Sequence, residues 1–344
     1  MSEILETIKN RSEILFLYDA TDMNPNGDPI DENKPRIDEE TGINIITDVR
    51  IKRTIRDYLS EYKNKEIFVK GVKDDDGIVK AREDRLGDFH SNREELLNKC
   101  IDIRLFGATI AIPNSNKKKN SANKTNLAAS VDSDEKADEN TINNENSKNI
   151  TLTGPVQFKY GRSLHAVDLT YIKGTTVFPS KQNMQQGTFT EKYMLPYSLI
   201  NVYGVVNENA ALNQKINLTK DDINLLLEAL WNGTKNLITT SKFGQVPRLL
   251  VQLEYKENSN FYIGELDKRI KLVKVDSGME DKQIRNISDV KIDITDLIDS
   301  IKKYKGRINS ISIKIGDRID FIYDGKTADF KELINEFNPK YLEF

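Results

Sequence analysis

Asn114–Asn149 sets the terms for any fold of this chain. The stretch is built of Asn, Ser, Lys, Asp and Glu, with Leu127, Val131 and Ile142 its only larger apolar residues. It cannot bury enough apolar surface to offset the entropy of ordering it, so it reads as a disordered insertion. Its first part holds Lys117, Lys118, Lys119 and Lys124, and its second part is mostly acidic. Strand-like sequence resumes on both sides. The folded body is therefore expected to be one domain, assembled from the regions before and after the insertion.

Within those regions the pattern alternates between strand and helix without regular βαβ order, which predicts an α+β fold. Ile14–Tyr18 is a continuous apolar run, the mark of a buried central strand. It feeds Asp19–Pro35, rich in Pro, Asn and Gly, which is expected to be a loop. Thr47 or Asp48 can cap a helix that runs to about Leu59. Residues 60–100 are highly charged with short helical patches, and Asp102–Ile112 returns to a buried pattern. Two strand-like arms flank Lys181–Gly187 in residues 169–197, as in a long protruding β-hairpin. Thr219–Trp231 has a capping box from Thr219 and Asp222, and apolar residues at helical spacing. Asn232-Gly233 is its expected stop. Leu249–Tyr255 is a strand, Ile311–Ile315 and Ile319–Tyr323 read as strands around a turn, and Ala328–Phe337 as a last helix.

Composition narrows the chemistry. Cys100 is the only cysteine, which excludes an internal disulfide and a thiolate zinc cluster and makes a reducing cytoplasm the expected compartment. His90 and His165 cannot build a multi-histidine metal site. No segment approaches ~18 uninterrupted apolar residues, and the N-terminus has no apolar signal-peptide core. With a net charge of -3, any site for a polyanion has to be a local patch. The phosphate-loop, zinc-protease and nucleophile-elbow motifs are all missing.

Five segments could carry function. Asp22–Asp28 matches the opening of a calcium loop, but Asn33 stands where a bidentate Glu belongs. The same loop could instead be a plain turn, or present Asn24 and Asn26 to phosphates or bases. Asp19, Asp22 and Asp28 could bind Mg²⁺ for hydrolysis. On the following helix Ile51, Ile55, Tyr58 and Leu59 share one stripe, and Lys52, Arg53 and Arg56 lie opposite, within about 100° of each other and with no acid among them. A one-signed face suits a phosphate backbone, although such a face is also ordinary solvated surface. Gly154–His165 carries Gln157, Lys159 and Arg162 between glycines, with His165 a structural hydrogen-bonder. The hairpin interleaves Phe178, Met184, Phe189 and Tyr193 with Lys173, Lys181 and Lys192, a pattern that fits stacking on a single strand or packing against a neighbour. Thr239–Val251 sets Lys242, Gln245 and Arg248 around a glycine and a proline at a strand entrance.

Taken in order, the blocks N-P-N-G-D-P, P-R-I-D, T-D-V-R-I-K-R-T-I-R-D-Y-L, D-I-R-L-F-G, T-G-P-V-Q-F, Y-G-R-S-L-H, Q-Q-G-T-F, L-P-Y, L-W-x-G-T-K and S-K-F-G-Q-x-P-R-L-L resemble a known family. It is the CRISPR-associated backbone subunit of Cascade, the Cas-seven family, in its subtype I-B (Csh-two) branch. The resemblance spans about residues 14–264. It implies an RRM-like (ferredoxin-like) palm, a finger elaboration at 60–100 and a thumb hairpin at 169–197. It further implies a non-enzymatic subunit with no cofactor or metal, polymerising with copies of itself along CRISPR RNA. The other implied partners are the guide-processing (capping) subunit, the 5′-handle subunit, the large and small subunits, and target DNA reached through guide pairing. The RNA contacts it implies fall on Asn24, Asn26, Lys52, Arg53, Arg56, Gln157, Lys159, Arg162, Lys181, Lys242, Gln245 and Arg248. A metal-dependent ribonuclease using the loop aspartates is the alternative.

Overall fold

A computed structural model of the protein describes residues 7–74, 76–110, 150–175 and 189–344. The 114–149 insertion, the hairpin tip and Lys181 lie outside them. Six elements make the frame: β1 (Ser12–Met23), α1 (Asp48–Glu61), β2 (Gly161–Ala166), β3 (Phe189–Val206), α2 (Lys220–Lys235) and β4 (Gln245–Tyr255). β1 pairs antiparallel with β3 on one side and β4 on the other, and β2 pairs antiparallel with the far side of β3. The spatial order is therefore β4-β1-β3-β2. Ile43–Ile46 extends the sheet beyond β2, and β5 (Ile308–Ile315) extends it beyond β4.

Both faces of this sheet are covered, which is why β1 is apolar without alternation. Ile14, Phe16, Tyr18 and Ala20 point toward α1 and α2. Leu15 and Leu17 point toward the C-terminal part of the chain. There α3 (Thr295–Lys303) and a four-stranded sheet pack, formed by Lys271–Lys274, Val290–Asp293, Phe321–Tyr323 and Lys326–Ala328. α1 begins where Thr47 accepts a hydrogen bond from the Arg50 N–H, and it buries Ile51, Ile55, Tyr58 and Leu59. Each such side chain contributes about 1.5–3 kcal/mol relative to exposure.

Several expectations are corrected. The chain does not loop from Asp19: β1 continues to Met23, with Asp19 buried inside it. α2 does not stop at Asn232-Gly233 but runs to Lys235. Gly233 lies against α1, where an added Cβ would stand 3.0 Å from the Tyr58 Cβ and 3.2 Å from the Thr54 carbonyl oxygen. It is there for close helix packing, not as a terminator. The strands near 311–315 and 319–323 do not pair with each other. β5 joins the large sheet through β4, and Phe321–Tyr323 joins the small one. Asp102–Ile112 divides into a helix, Ile101–Phe106, and a strand, Gly107–Ile110.

Candidate nucleic-acid interface

The end of β1, the loop after it, the first turn of α1 and the turn before β4 meet at one junction. The backbone N–H of Asn24 donates to the Ser241 carbonyl at 3.0 Å, and the Lys242 ammonium donates to the Asn24 carbonyl at 2.8 Å. Both loop asparagines are buried and turn their amides into the protein. Asn24 Nδ2 donates to the Asn33 carbonyl at 2.6 Å, and Asn26 Nδ2 reaches the Thr47 hydroxyl at 3.4 Å. That geometry serves the loop's shape, with the Asn24 Oδ1 left buried and without a hydrogen-bond partner among the described residues. Gly244, at φ +109, lets the 239–244 turn approach Met23, where a Cβ would meet the methyl at 3.0 Å. Phe243 stands beside Lys242 with 68% of its surface exposed.

The cations at this junction have no ion-pair partner among the described residues, and Asp57 acts on Arg50 only from beyond ion-pair distance. Burial pushes the Lys242 ammonium down to about 8, helped by the positive charge of Arg50. Burial also lowers Arg50, whose guanidinium, among the described residues, donates only to the Thr54 hydroxyl, at 3.0 Å, and whose Nε is buried without a partner there. Neither cation has a carboxylate in ion-pair distance among the described residues. Two adjacent, partly desolvated cations repel, and an incoming phosphate relieves that repulsion. Arg50 is the residue that sequence reasoning passed over. The helical wheel sets it away from Lys52 and Arg56, with Arg53 and Thr54 its neighbours one turn on. A signal was present nonetheless, because a cation in a helix's first turn opposes the helix dipole.

The other face of α1 corrects a second expectation. Lys52, Arg53 and Arg56 do not form an acid-free surface. Lys52 pairs with Asp48 at 2.9 Å, Arg53 with Asp57 at 2.6 Å, and Arg56 with Asp102 at 3.1 Å. Asp102 is fully buried and also accepts from the Phe68 and Val69 N–H groups, so Arg56 helps fix the 68–69 backbone. Lys52 and Arg56 lie over the Phe106 ring, at 5.8 and 5.1 Å. Of the three, Arg53 is the exposed one. α1 is thus a ridge, with Arg50 and Lys242 on one flank, Arg53 on the crest, and Lys52 and Arg56 on the flank facing Phe106.

The remaining candidates are spread apart. Gln157 is exposed and donates to the Gly154 carbonyl. Lys159 pairs with Asp267 at 3.0 Å, and Arg162 contacts Asp38 at 3.6 Å while staying half exposed. Gln245 is buried, its amide donating to the Lys242 carbonyl. Arg248 is buried too, held by Asp19 at 2.8 Å and by the Asp317 carbonyl, and so supports the sheet. Asp19, Asp22 and Asp28 are not brought together. Asp19 binds Arg248 and the Tyr197 hydroxyl, Asp28 binds Arg36, and no metal-ready cluster occurs among the described residues. Nδ1 of the buried His165 lies 2.9 Å from the Ala166 carbonyl, and its Nε2 accepts from the Leu199 N–H. Its burial holds its pKa down. Cys100 is buried, with its thiol pushed up to about 12 by that burial. The hairpin leaves the sheet as Thr170–Thr175 pairs with the start of β3. Its base is tied to the 24–35 loop where the Tyr193 hydroxyl donates to Glu32 at 2.8 Å.

Comparison with known proteins gives three findings. The profile described as "CRISPR-associated protein Cas7" matches residues 10–295. A protein named "CRISPR-associated protein Cas7" from Haloferax volcanii is 33% identical over 326 residues, covering 90% of this chain and 88% of that protein. Two solved chains are similar at lower identity. One, titled "CRISPR RNA-guided surveillance complex", has a TM-score of 0.46 at 12% identity, covering 95% of this chain and 97% of that chain. The other, titled "CRISPR RNA-guided surveillance complex, pre-nicking", has a TM-score of 0.48 at 11% identity, covering 95% and 98%.

Proposed function

The chain belongs to the CRISPR-associated protein Cas7 family, and on that footing we infer that it is the backbone subunit of an RNA-guided surveillance complex. It holds CRISPR RNA, assembles with copies of itself and with the other Cascade subunits, and presents the guide for pairing with target DNA. The observation that carries its RNA-holding role is the Arg50–Lys242 pair. Two adjacent cations with no ion-pair partner among the described residues are costly for a folded protein to keep, and a phosphate backbone is the ligand that compensates them. Asn24 and Asn26 shape the loop that frames this pair, and Gln245 fixes the turn that carries Lys242. Arg53, Lys159 and Arg162 are the exposed cations available to neighbouring phosphates.

The finer architecture is part of the same proposal. An RRM-like palm is supported by the order β4-β1-β3-β2, with α1 and α2 packed on one face. A finger is supported by the helices Arg82–Gly87 and Arg93–Lys99. The base of the 169–197 hairpin supports a thumb, whose Lys181 tip lies outside the described residues. Placement in the subtype I-B branch rests on the ordered motifs alone. A non-catalytic role is supported by Asp19, which is engaged by Arg248 and Tyr197. No helix of the described residues is long and apolar enough to cross a membrane. A reducing cytoplasm is proposed on the lone cysteine.

The test is filter binding of single-stranded RNA by the purified protein and its Arg50→Ala/Lys242→Ala variant across a salt series. The log–log slope should shrink by about 1.4, two contacts at about 0.7 each. An unchanged slope and affinity would remove the pair from the RNA path.

A further inference from the structure

Beyond α1's crest lies a cleft of ≈ 480 Å³ that shares only Arg53 with the guide-RNA reading, between α1, the segments 68–71 and 80–85, and the strand Gly107–Ile110. Five cations line it: Arg53, Lys70, Lys80, Arg82 and Arg85. No acid lines it among the described residues. The acids that answer four of them are not part of its lining. Arg53 pairs with Asp57, Lys70 with Glu66, Lys80 with Asp88, and Arg85 with both Glu66 and Asp88. Among the described residues, Arg82 has only the Thr109 carbonyl, at 3.2 Å. Five cations thus face three carboxylates, leaving an excess of two positive charges. The remaining wall is apolar or backbone, from Phe68, Val69 and Ile110.

A cleft within the ~300–1,000 Å³ range of ligand sites, lined by both apolar groups and cations, suits a base or sugar face joined to phosphate. A small inorganic anion would leave the apolar wall unfilled. A peptide carboxylate would use one cation and leave the rest unanswered. We propose that this cleft binds a nucleotide unit of a second nucleic-acid strand, apart from the one at Arg50–Lys242. Arg82 is its main phosphate contact, because no carboxylate neutralises it. Arg85 is buried and holds the wall. Only its choice of ligand rests on the guide-RNA reading.

The experiment uses the full chain, a fluorescently labelled 12-nucleotide RNA and labelled AMP, read by anisotropy across a salt series. In Lys70→Ala/Arg82→Ala the RNA slope should fall by at least about 0.7, the share of Arg82, and by less than a further ~0.7 for Lys70, which Glu66 already answers. The charge-keeping Arg82→Lys, which also controls for folding, should retain most of it. The Arg50→Ala/Lys242→Ala variant should keep the share contributed by the cleft. AMP binding that disappears with Lys70 and Arg82 would support the cleft with a free nucleotide as its ligand. Binding of the strand alone would support it with a strand. If the unaltered protein binds RNA and the cleft variant shows the same slope, the cleft proposal is overturned. If the unaltered protein binds no RNA, the guide reading fails instead, and AMP binding that Lys70→Ala/Arg82→Ala does not change then overturns the cleft.

Discussion

On the proposed RNA-holding role, Lys242 should make binding sensitive to pH in a range where ordinary lysines are not. Its ammonium titrates at about 8 in the free protein because it is partly desolvated and faces Arg50. A phosphate at the junction would return it toward the ordinary value near 10.4. A group whose pKa rises on binding takes up a proton once the pH passes its free-state value. Affinity is therefore flat below pH 7 and falls as the pH rises through 8. Full restoration sets the ceiling: binding should be about tenfold weaker at pH 9 than at pH 7. The assay is anisotropy with an oligoadenylate, whose bases do not titrate in that interval, at constant ionic strength. Lys242→Arg should keep the affinity at pH 7 and lose the pH dependence, because a guanidinium stays charged throughout. A flat profile in the unaltered protein, or an equal slope in Lys242→Arg, would refute the placement of Lys242 against phosphate.

Other substitutions separate the interface from its scaffold. Arg50→Ala should lower the log–log salt slope by about 0.7, and Lys52→Ala by less, because Asp48 already answers Lys52. Asp19→Ala should destabilise the fold by about 3–5 kcal/mol in urea unfolding, since it leaves Arg248 buried and unpaired. Adding Mg²⁺ to the unaltered protein should leave bound RNA intact; cleavage abolished at Asp19 would reverse that reading. Glu13 is fully buried and accepts from the Tyr203 and Tyr255 hydroxyls and the Ile263 and Gly264 N–H groups. Glu13→Ala should therefore cost at least about 1–3 kcal/mol, the penalty of leaving buried donors unsatisfied, measured the same way, and a loss under ~1 kcal/mol would contradict the cradle.

The parts legible in the sequence were those set by local periodicity and caps. Ile14–Tyr18, the α1 stripe and the Thr219–Asp222 box name their elements because each signal lies within a few residues of its effect. Asp19 was misread as loop because its partner, Arg248, is 229 residues away. Without that partner a carboxylate argues against a buried strand. Gly233 has the form of a helix stop, and only the approach of Tyr58 gives it another use. The turn after Ile315 looks like a hairpin tip, yet the strands on either side find partners in different sheets. The pairing of the α1 cations was half readable. Asp48–Lys52 and Arg53–Asp57 obey the i, i+4 spacing, whereas Arg56 meets Asp102 only through the tertiary fold. The cleft was not readable at all, because its cations come from α1 and the 70–85 segment and its floor from 68–69 and 107–110.

The most direct test of the central claim is what the protein carries when made alongside a CRISPR array and the neighbouring subunits. The account predicts particles far larger than the 39.3 kDa chain, containing RNA of uniform length with spacer sequence, and loss of that RNA in Arg50→Ala/Lys242→Ala. Recovery of an RNA-free protein at the mass of a single chain, with array and neighbours present, would contradict it.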